Sequence, residues 1–430
     1  MEEKTRFMSF NCQLKSSSYG FLLPFLYICI RYFSDELYHI CKPTDSLMIL
    51  KYNLPYLFYL FLPKILSIVC ILIVKSNTKG ESFVSKENII IRNYHINVVK
   101  RNKNKILLLI YVVSFLEALH DDANSLLYYY EIYYTNEGVN KYIKGWLIEE
   151  KTCFIIFVPL FAYLILNTEI HRHHYLALLF GYFGFFFVNG SRFVLGFSFF
   201  EDILFHLLKM YISSIYSLSL VLIKYIMIKY VLFSPYVFLF YDGIFNILNS
   251  IILILLQYPL VINLPDKNKK LDKTEENKNY FSHNFVEVFG VLGGQNGKFY
   301  VYLFLFFIIS FFYYIIKTLI IYNNSIFFII LLEAILPLDS DVIRIILNIE
   351  SEHIADQKHK ILERFYYQTL GYVFLLFGSL ILNEIIIFNC CGLNKYTFKD
   401  INRRGVNDSN TIPVLEVNNC DDNSSEELEE

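Results

Sequence analysis

The chain has 430 residues, of which 55% are hydrophobic, 18% aromatic and only 18% charged, with a formal net charge of −2. A soluble domain carries about a quarter charged residues; here the apolar residues also fall in long unbroken blocks, the pattern of a multi-span membrane protein. The near-neutral balance offers nothing to nucleic acid, and the eight cysteines show neither CxxC nor zinc spacing, so no disulfide frame and no metal site are expected.

Residues 1–19 are a polar segment with Lys4, Arg6 and Lys15. The first apolar block, Tyr19–Phe33, is short and interrupted by Pro24. No small-x-small cleavage pattern follows it, so it reads as a retained span rather than a cleaved signal. Leu54–Val74 is the second span, and a basic loop leads to the third, Lys105–Thr135. Gly138–Leu166 is the fourth, with a polar start that carries Lys144-Gly145, and NTEIHRHH turns the chain into the fifth, Tyr175–Val188. Ile203–Ile228 and Tyr236–Ile262 are the sixth and seventh. Residues 263–297 are polar and Gly-containing and read as a long loop. Phe299–Tyr322 is the eighth span and Ser325–Ile349 the ninth, broken by Pro337; the charged link ESEHIADQKHKILER then leads to the tenth, Phe365–Phe388. The tail 401–430 ends in DDNSSEELEE, disordered and acidic by composition.

Ten spans put both termini on one side of the membrane. The basic residues of the N-terminal segment, of the loop between spans two and three, and after span ten all fall on that side, which the positive-inside rule assigns to the cytosol.

Span three is the informative one. On a helix, residues at i, i+3, i+4 and i+7 share a face, and Glu117, His120, Asp121, Asn124, Tyr128 and Glu131 fit that spacing among leucines and isoleucines. An ionised carboxylate at bilayer depth costs about 2.5–3.5 kcal/mol, so such a stripe implies a water-filled path or a charged partner. The competing reading is that Asp121 and Asp122 mark a loop between two short spans. In span seven, Asp242 and Asn246 share a face, with Asp242 alternatively capping the helix end near Pro235; in span nine, Glu333 and Asp341 sit beside Arg344 as an ion pair or a substrate contact. Lys144 pairs with Asp121 or Glu149 or binds an anionic substrate, whereas Lys224 and Lys317 are expected to snorkel to an interface. The histidines of HRHHY (His171–Tyr175) are expected to be solvated or head-group-bound rather than metal-bound. No nucleotide-binding loop occurs, so any transport is secondary.

Spans five and ten look like a repeat. Each follows a charged turn, opens with aromatics and carries small residues seven apart: Ala177 and Gly184 in one, Gly371 and Gly378 in the other. Such residues let helices approach closely in lipid. A duplication with five spans per half must be inverted, an architecture that places the site between the halves.

The run ALHDDANSLLYY, GVNKYIKG and FVPLFAYLILNTEIHRHHYLALLFGYFGFFFV, with KYIMIKYVLFSPYVFLFYDGIF and GYVFLLFGSLILNEIII in the second half, resembles the drug/metabolite transporter superfamily (EamA-like). Within it, the chain is similar to the branch between nucleotide-sugar-transporter-like solute carrier F-type proteins and chloroquine-resistance-type transporters. The resemblance rests on Asp121 and Ser125, on Lys144-Gly145 where Arg is commoner, on Asp242-Gly243 where Glu-Gly is commoner, and on Asn383-Glu384 after the last Gly.

The expected fold is thus an all-α integral membrane protein with ten transmembrane helices as two inverted five-helix repeats, 20–190 and 203–388. The resemblance implies a non-enzymatic carrier of a small polar solute in an endomembrane (Golgi, ER or lysosome/vacuole). Glu117, Asp121, Asn124, Tyr128, Lys144, Asp242, Asn246, Glu333 and Arg344 would line its substrate or proton pathway. Neither cofactor nor metal is expected. The expected partners are the bilayer and a small-molecule substrate, proton-coupled or exchanged, with a homodimer as one arrangement. The rival readings are an intramembrane lipid-modifying enzyme using His120 and Asp121, and a scaffold or receptor acting through its loops and tail.

Overall fold

A computed structural model describes residues 23–31, 33, 101–135, 150–190, 203–230, 235–262, 297–334 and 352–388, with 393 and 397. These residues form helices and, among the described residues, no strand. The helices are 23–31 (α1), Lys103–Thr135 (α2), Glu150–Leu166 (α3), Arg172–Gly190 (α4), Ile203–Lys229 (α5), Pro235–Ile262 (α6), Gly297–Asn323 (α7), Ile326–Ala334 (α8) and Glu352–Leu382 (α9). Stretches of α5, α6, α7 and α9 are long and apolar enough to cross a membrane, and Thr152–Leu166 in α3 is apolar but shorter. This is the make-up of a multi-pass membrane protein. Span two, the polar start of span four, the end of span nine, the 263–296 loop and the terminal segments 1–19 and 401–430 lie outside the described residues.

Burial is arranged for lipid rather than water. Helix α2 exposes Leu108, Val112 and Phe115 and buries Ser114, Glu117, His120 and Asp122; α5 exposes Leu207, Leu208 and Tyr211 and buries Ser213, Ser217, Ser219 and Lys224. A water-soluble helix does the reverse. The buried hydroxyls stay satisfied by donating to carbonyls one turn back: Ser213 to Lys209 (2.8 Å), Ser217 to Ser213 (2.9 Å), Thr318 to Tyr314 (2.9 Å) and Ser379 to Leu375 (2.7 Å). Packing runs from α3 to α5, from α5 to α2 and from α2 to α6, and α4 packs along α9. That last contact follows the small residues: the Ala177 carbonyl lies against Gly378, and Gly184 against Gly371.

Helix α2 runs unbroken through Asp121 and Asp122, as the reading of span three as one helix expects, and the competing loop between two short spans does not form. Other expectations are corrected by the structure. The charged link before span ten is already helical from Glu352, because Ala, Gln, Lys, Leu, Glu and Arg are good helix formers and no Gly or Pro stops them. Lys224 does not snorkel: it is 4% exposed and donates to the carbonyls of Ile321 (2.8 Å), Tyr322 (3.2 Å) and Asn324 (2.7 Å). The first two carbonyls belong to the last turn of α7 and the third follows it; carbonyls there lack intrahelical donors, and a cation at the negative end of a helix is favoured. Replacing Lys224 by Met strands them, and a loss of about 1–3 kcal/mol is expected. Thermal unfolding in detergent reads this, and an unchanged midpoint would remove the capping role.

Candidate functional site

The polar stripe of α2 is a connected chain of donors and acceptors. Lys209 of α5 donates to Asn124 Oδ1, and Asn124 Nδ2 lies 2.8 Å from His120 Nε2. With the amide donating, the ring proton sits on Nδ1, 3.0 Å from Asp121 Oδ1. His120 also stacks on the ring of Tyr216 of α5, centroids 4.7 Å apart, and Tyr216 packs in turn on Phe154 of α3 at 5.4 Å. Lys317 of α7 also stands over the Tyr216 ring, its Nζ 4.6 Å from the ring centroid and 3.5 Å from Glu117 Oε1. Lys317 is 4% and Glu117 6% exposed, so the pair is buried, and the expectation that Lys317 snorkels is overturned. The long stem that allows snorkelling serves equally to reach a carboxylate once a helix covers it.

A second set is built from α1, α7 and α8. Arg31 pairs with Glu333, and Tyr27 donates to the other Glu333 oxygen. The Tyr27 hydroxyl also lies 3.2 Å from that of Tyr313. Tyr313 is one turn from Lys317 on α7, a spacing that puts both on one face and joins the two sets. The two sets together hold two buried acids, each with a basic partner from another helix. Taking a charged pair out of water is costly unless other groups contact it; the Tyr216 ring lies against Lys317 and the Tyr27 hydroxyl donates to Glu333.

Of the residues expected in the pathway, Glu117, Asp121 and Asn124 come together as the helical spacing requires. Glu333 joins them through α7, with Arg31 as its partner. Asp242 and Asn246 instead line the seam between α2 and α6: Ser114 Oγ donates to the Asp242 carbonyl (3.2 Å) and Asn246 Nδ2 to the Ser114 carbonyl (3.4 Å). Asp242 is buried two turns inside α6, so it does not cap that helix near Pro235. Tyr128 lies on α2 one turn beyond Asn124, with its side chain outside the described residues, as are Lys144, Asp341 and Arg344 altogether. Sequence reading missed Arg31, Tyr27, Tyr313 and Tyr216, and set Lys317 aside. A lone basic residue inside an apolar block was the available signal.

A separate cluster forms where α4 begins. His173 is 4% exposed rather than solvated, because α4 starts at Arg172 and turns this side chain toward the end of α9. Its Nε2 stands 3.4 Å from Glu384 Oε1. His174 Nδ1 accepts the His171 amide at 3.0 Å, and the ring centroids of His173 and His174 are 4.0 Å apart. Burial, with His173 and His171 beside it, pushes His174 down to about 4, so its ring is neutral.

No protein-family model matches the chain, and no curated protein matches it.

Proposed function

We propose that the chain is a secondary carrier that moves a small polar or charged organic solute across an endomembrane by alternating access. The observation that carries this reading is that two ion pairs with buried acids, Glu117–Lys317 and Arg31–Glu333, tie a helix from before the long polar loop to one after it. In a ten-span chain of two inverted five-helix repeats, these are contacts between halves. Rocking one half against the other must break or exchange them, so a charged solute that replaces one partner couples its own binding to the motion.

The contact pattern supports the repeat. Pairing each span with the one five later makes α1 the counterpart of α5, α7 of α2 and α8 of α3. Tyr27 of α1 touches Tyr313 of α7 and Glu333 of α8; Tyr216 of α5 touches His120 of α2 and Phe154 of α3. One tyrosine in each half thus makes the same two helix contacts. His120 has both ring nitrogens engaged, by Asp121 and Asn124, which leaves neither to activate a nucleophile and favours carriage over catalysis.

The test is uptake into proteoliposomes across nucleotide sugars, amino acids and cationic drugs, with and without a pH gradient. At least one class is expected to accumulate, and Asp121→Asn is expected to abolish that uptake without lowering the amount of folded protein. Accumulation no higher than in empty liposomes for every class, or full uptake by Asp121→Asn, would count against the reading or against this site respectively.

A further inference from the structure

We propose that His173, His174 and Glu384 form a binding site for a divalent transition-metal ion of the zinc type, joining the start of α4 to the end of α9. The site is distinct from the ion-pair network and does not rest on the carrier reading.

Three observations carry it. The first is spacing. One donor atom from each of the three side chains lies within 4.8 Å of the other two. Around an ion held at about 2.0–2.1 Å, tetrahedral donors are about 3.4 Å apart, and His173 Nε2 and Glu384 Oε1 stand at 3.4 Å. Two imidazoles and one carboxylate are a donor set that Zn2+ accepts, with a fourth position for water or for His171, whose ring centroid is 5.6 Å from that of His174.

The second is an unsatisfied donor. His173 is buried, yet neither of its ring nitrogens makes a hydrogen bond among the described residues, and Nε2 has only the 3.4 Å approach of Glu384 Oε1. A buried imidazole without a hydrogen bond calls for an explanation, and an ion between Nε2 and Glu384 supplies one.

The third is backbone strain at Glu384. Helix α9 ends in a Schellman motif: the Ile385 amide donates to Leu380 O (2.9 Å) and the Glu384 amide to Ile381 O (2.9 Å). The residue at that turn takes the left-handed conformation, and here it is Glu384 with φ 56°, where glycine is the usual occupant. Asn383 before it is tied down, donating to Phe327 O and Ser379 O, both at 2.9 Å. A strained non-glycine residue in a rigidly held turn points to a side chain needed where it is. What that side chain faces is His173.

Ligation has one internal consequence. His174 Nδ1 already accepts the His171 amide, so Nε2 is the atom left for the ion; binding shifts the ring proton to Nδ1 and gives up that amide bond.

The test uses the full chain purified in detergent through a tag without histidine. Zn2+ titration by calorimetry is expected to show one equivalent bound, Co2+ to give the visible absorption of a tetrahedral site, and Zn2+ to raise the unfolding temperature. Glu384→Gln keeps the side chain's size and should weaken binding tenfold or more; His173→Ala should abolish it. A wild-type chain that binds no equivalent of Zn2+, or Glu384→Gln and His173→Ala chains that bind as the wild type does, would overturn the proposal.

Discussion

Glu117→Gln is expected to lower stability by about 3–5 kcal/mol, and adding Lys317→Met to restore most of that loss while leaving transport abolished. The reasoning starts from burial. Removing the carboxylate alone leaves the buried Lys317 ammonium with, among the described residues, the Tyr216 ring 4.6 Å away, and an uncompensated buried charge is what makes broken pairs costly. Were the pair at the surface, the same change would cost less than about 1 kcal/mol. Removing both charges takes away the desolvation penalty with the attraction, so the folded state recovers, but the contact that the proposed rocking would exchange is gone. Unfolding in detergent and uptake in liposomes read the two effects separately. A double variant that is both stable and active would make the pair structural only. A single variant as stable as the wild type would mean that water reaches Lys317.

Some of this was open to the sequence and some was closed to it, for physical reasons. The α2 stripe was legible because Glu117, His120, Asp121 and Asn124 repeat with the helical period, and period alone decides which residues share a face. The small residues of α4 and α9 were legible because Ala177, Gly184, Gly371 and Gly378 stand at equal spacing in two aromatic spans. Partners were not legible. Arg31 and Glu333 lie 302 positions apart in the chain, and nothing local to either says that the other will meet it. Lys224 and Lys317 show the same limit: each is a long basic side chain in an apolar block, and whether it snorkels or pairs depends on which helix covers it. The cluster at His173 was hidden differently. Its two histidines are adjacent in the sequence, but the third member, Glu384, arrives through the turn that ends α9.

The seam between α4 and α9 carries the second large prediction. Gly184→Ala, Gly371→Ala and Gly378→Ala are each expected to destabilise the chain by about 1–3 kcal/mol, and Gly184→Leu by more. A Cβ on Gly184 would stand 2.8 Å from the Gly371 carbonyl oxygen, one on Gly371 would stand 2.9 Å from that of Gly184, and one on Gly378 would stand 2.7 Å from that of Ala177. These obstacles are backbone, which moves only if the helices part. The atoms nearest a Cβ on Gly181 belong to the Ile155 side chain, at 2.6, 2.8 and 2.9 Å; that residue is buried and β-branched, with a stiff χ1, so Gly181→Ala should also destabilise. Gly190 has nothing within 4 Å, and Gly190→Ala should be neutral or gain up to about 1 kcal/mol of helix propensity. In lipid there is no hydrophobic force to hold the helices against a spacer, so close approach is itself the source of the attraction. The stacked rings of Phe187 and Phe374, centroids 5.5 Å apart, flank the seam and would be pulled apart with it. The contacts are also reciprocal. Position 177 meets 378 and 184 meets 371, so the two helices run antiparallel, and the first small residue of each touches the second of the other. A two-fold axis between equivalent helices imposes that exchange, and for antiparallel spans the axis lies in the membrane plane, as the proposed inverted repeat requires. Melting followed by size-exclusion elution ranks the variants. If Gly184→Ala proved as stable as Gly190→Ala, the seam would not be tight, and the reciprocity that supports the repeat would go with it.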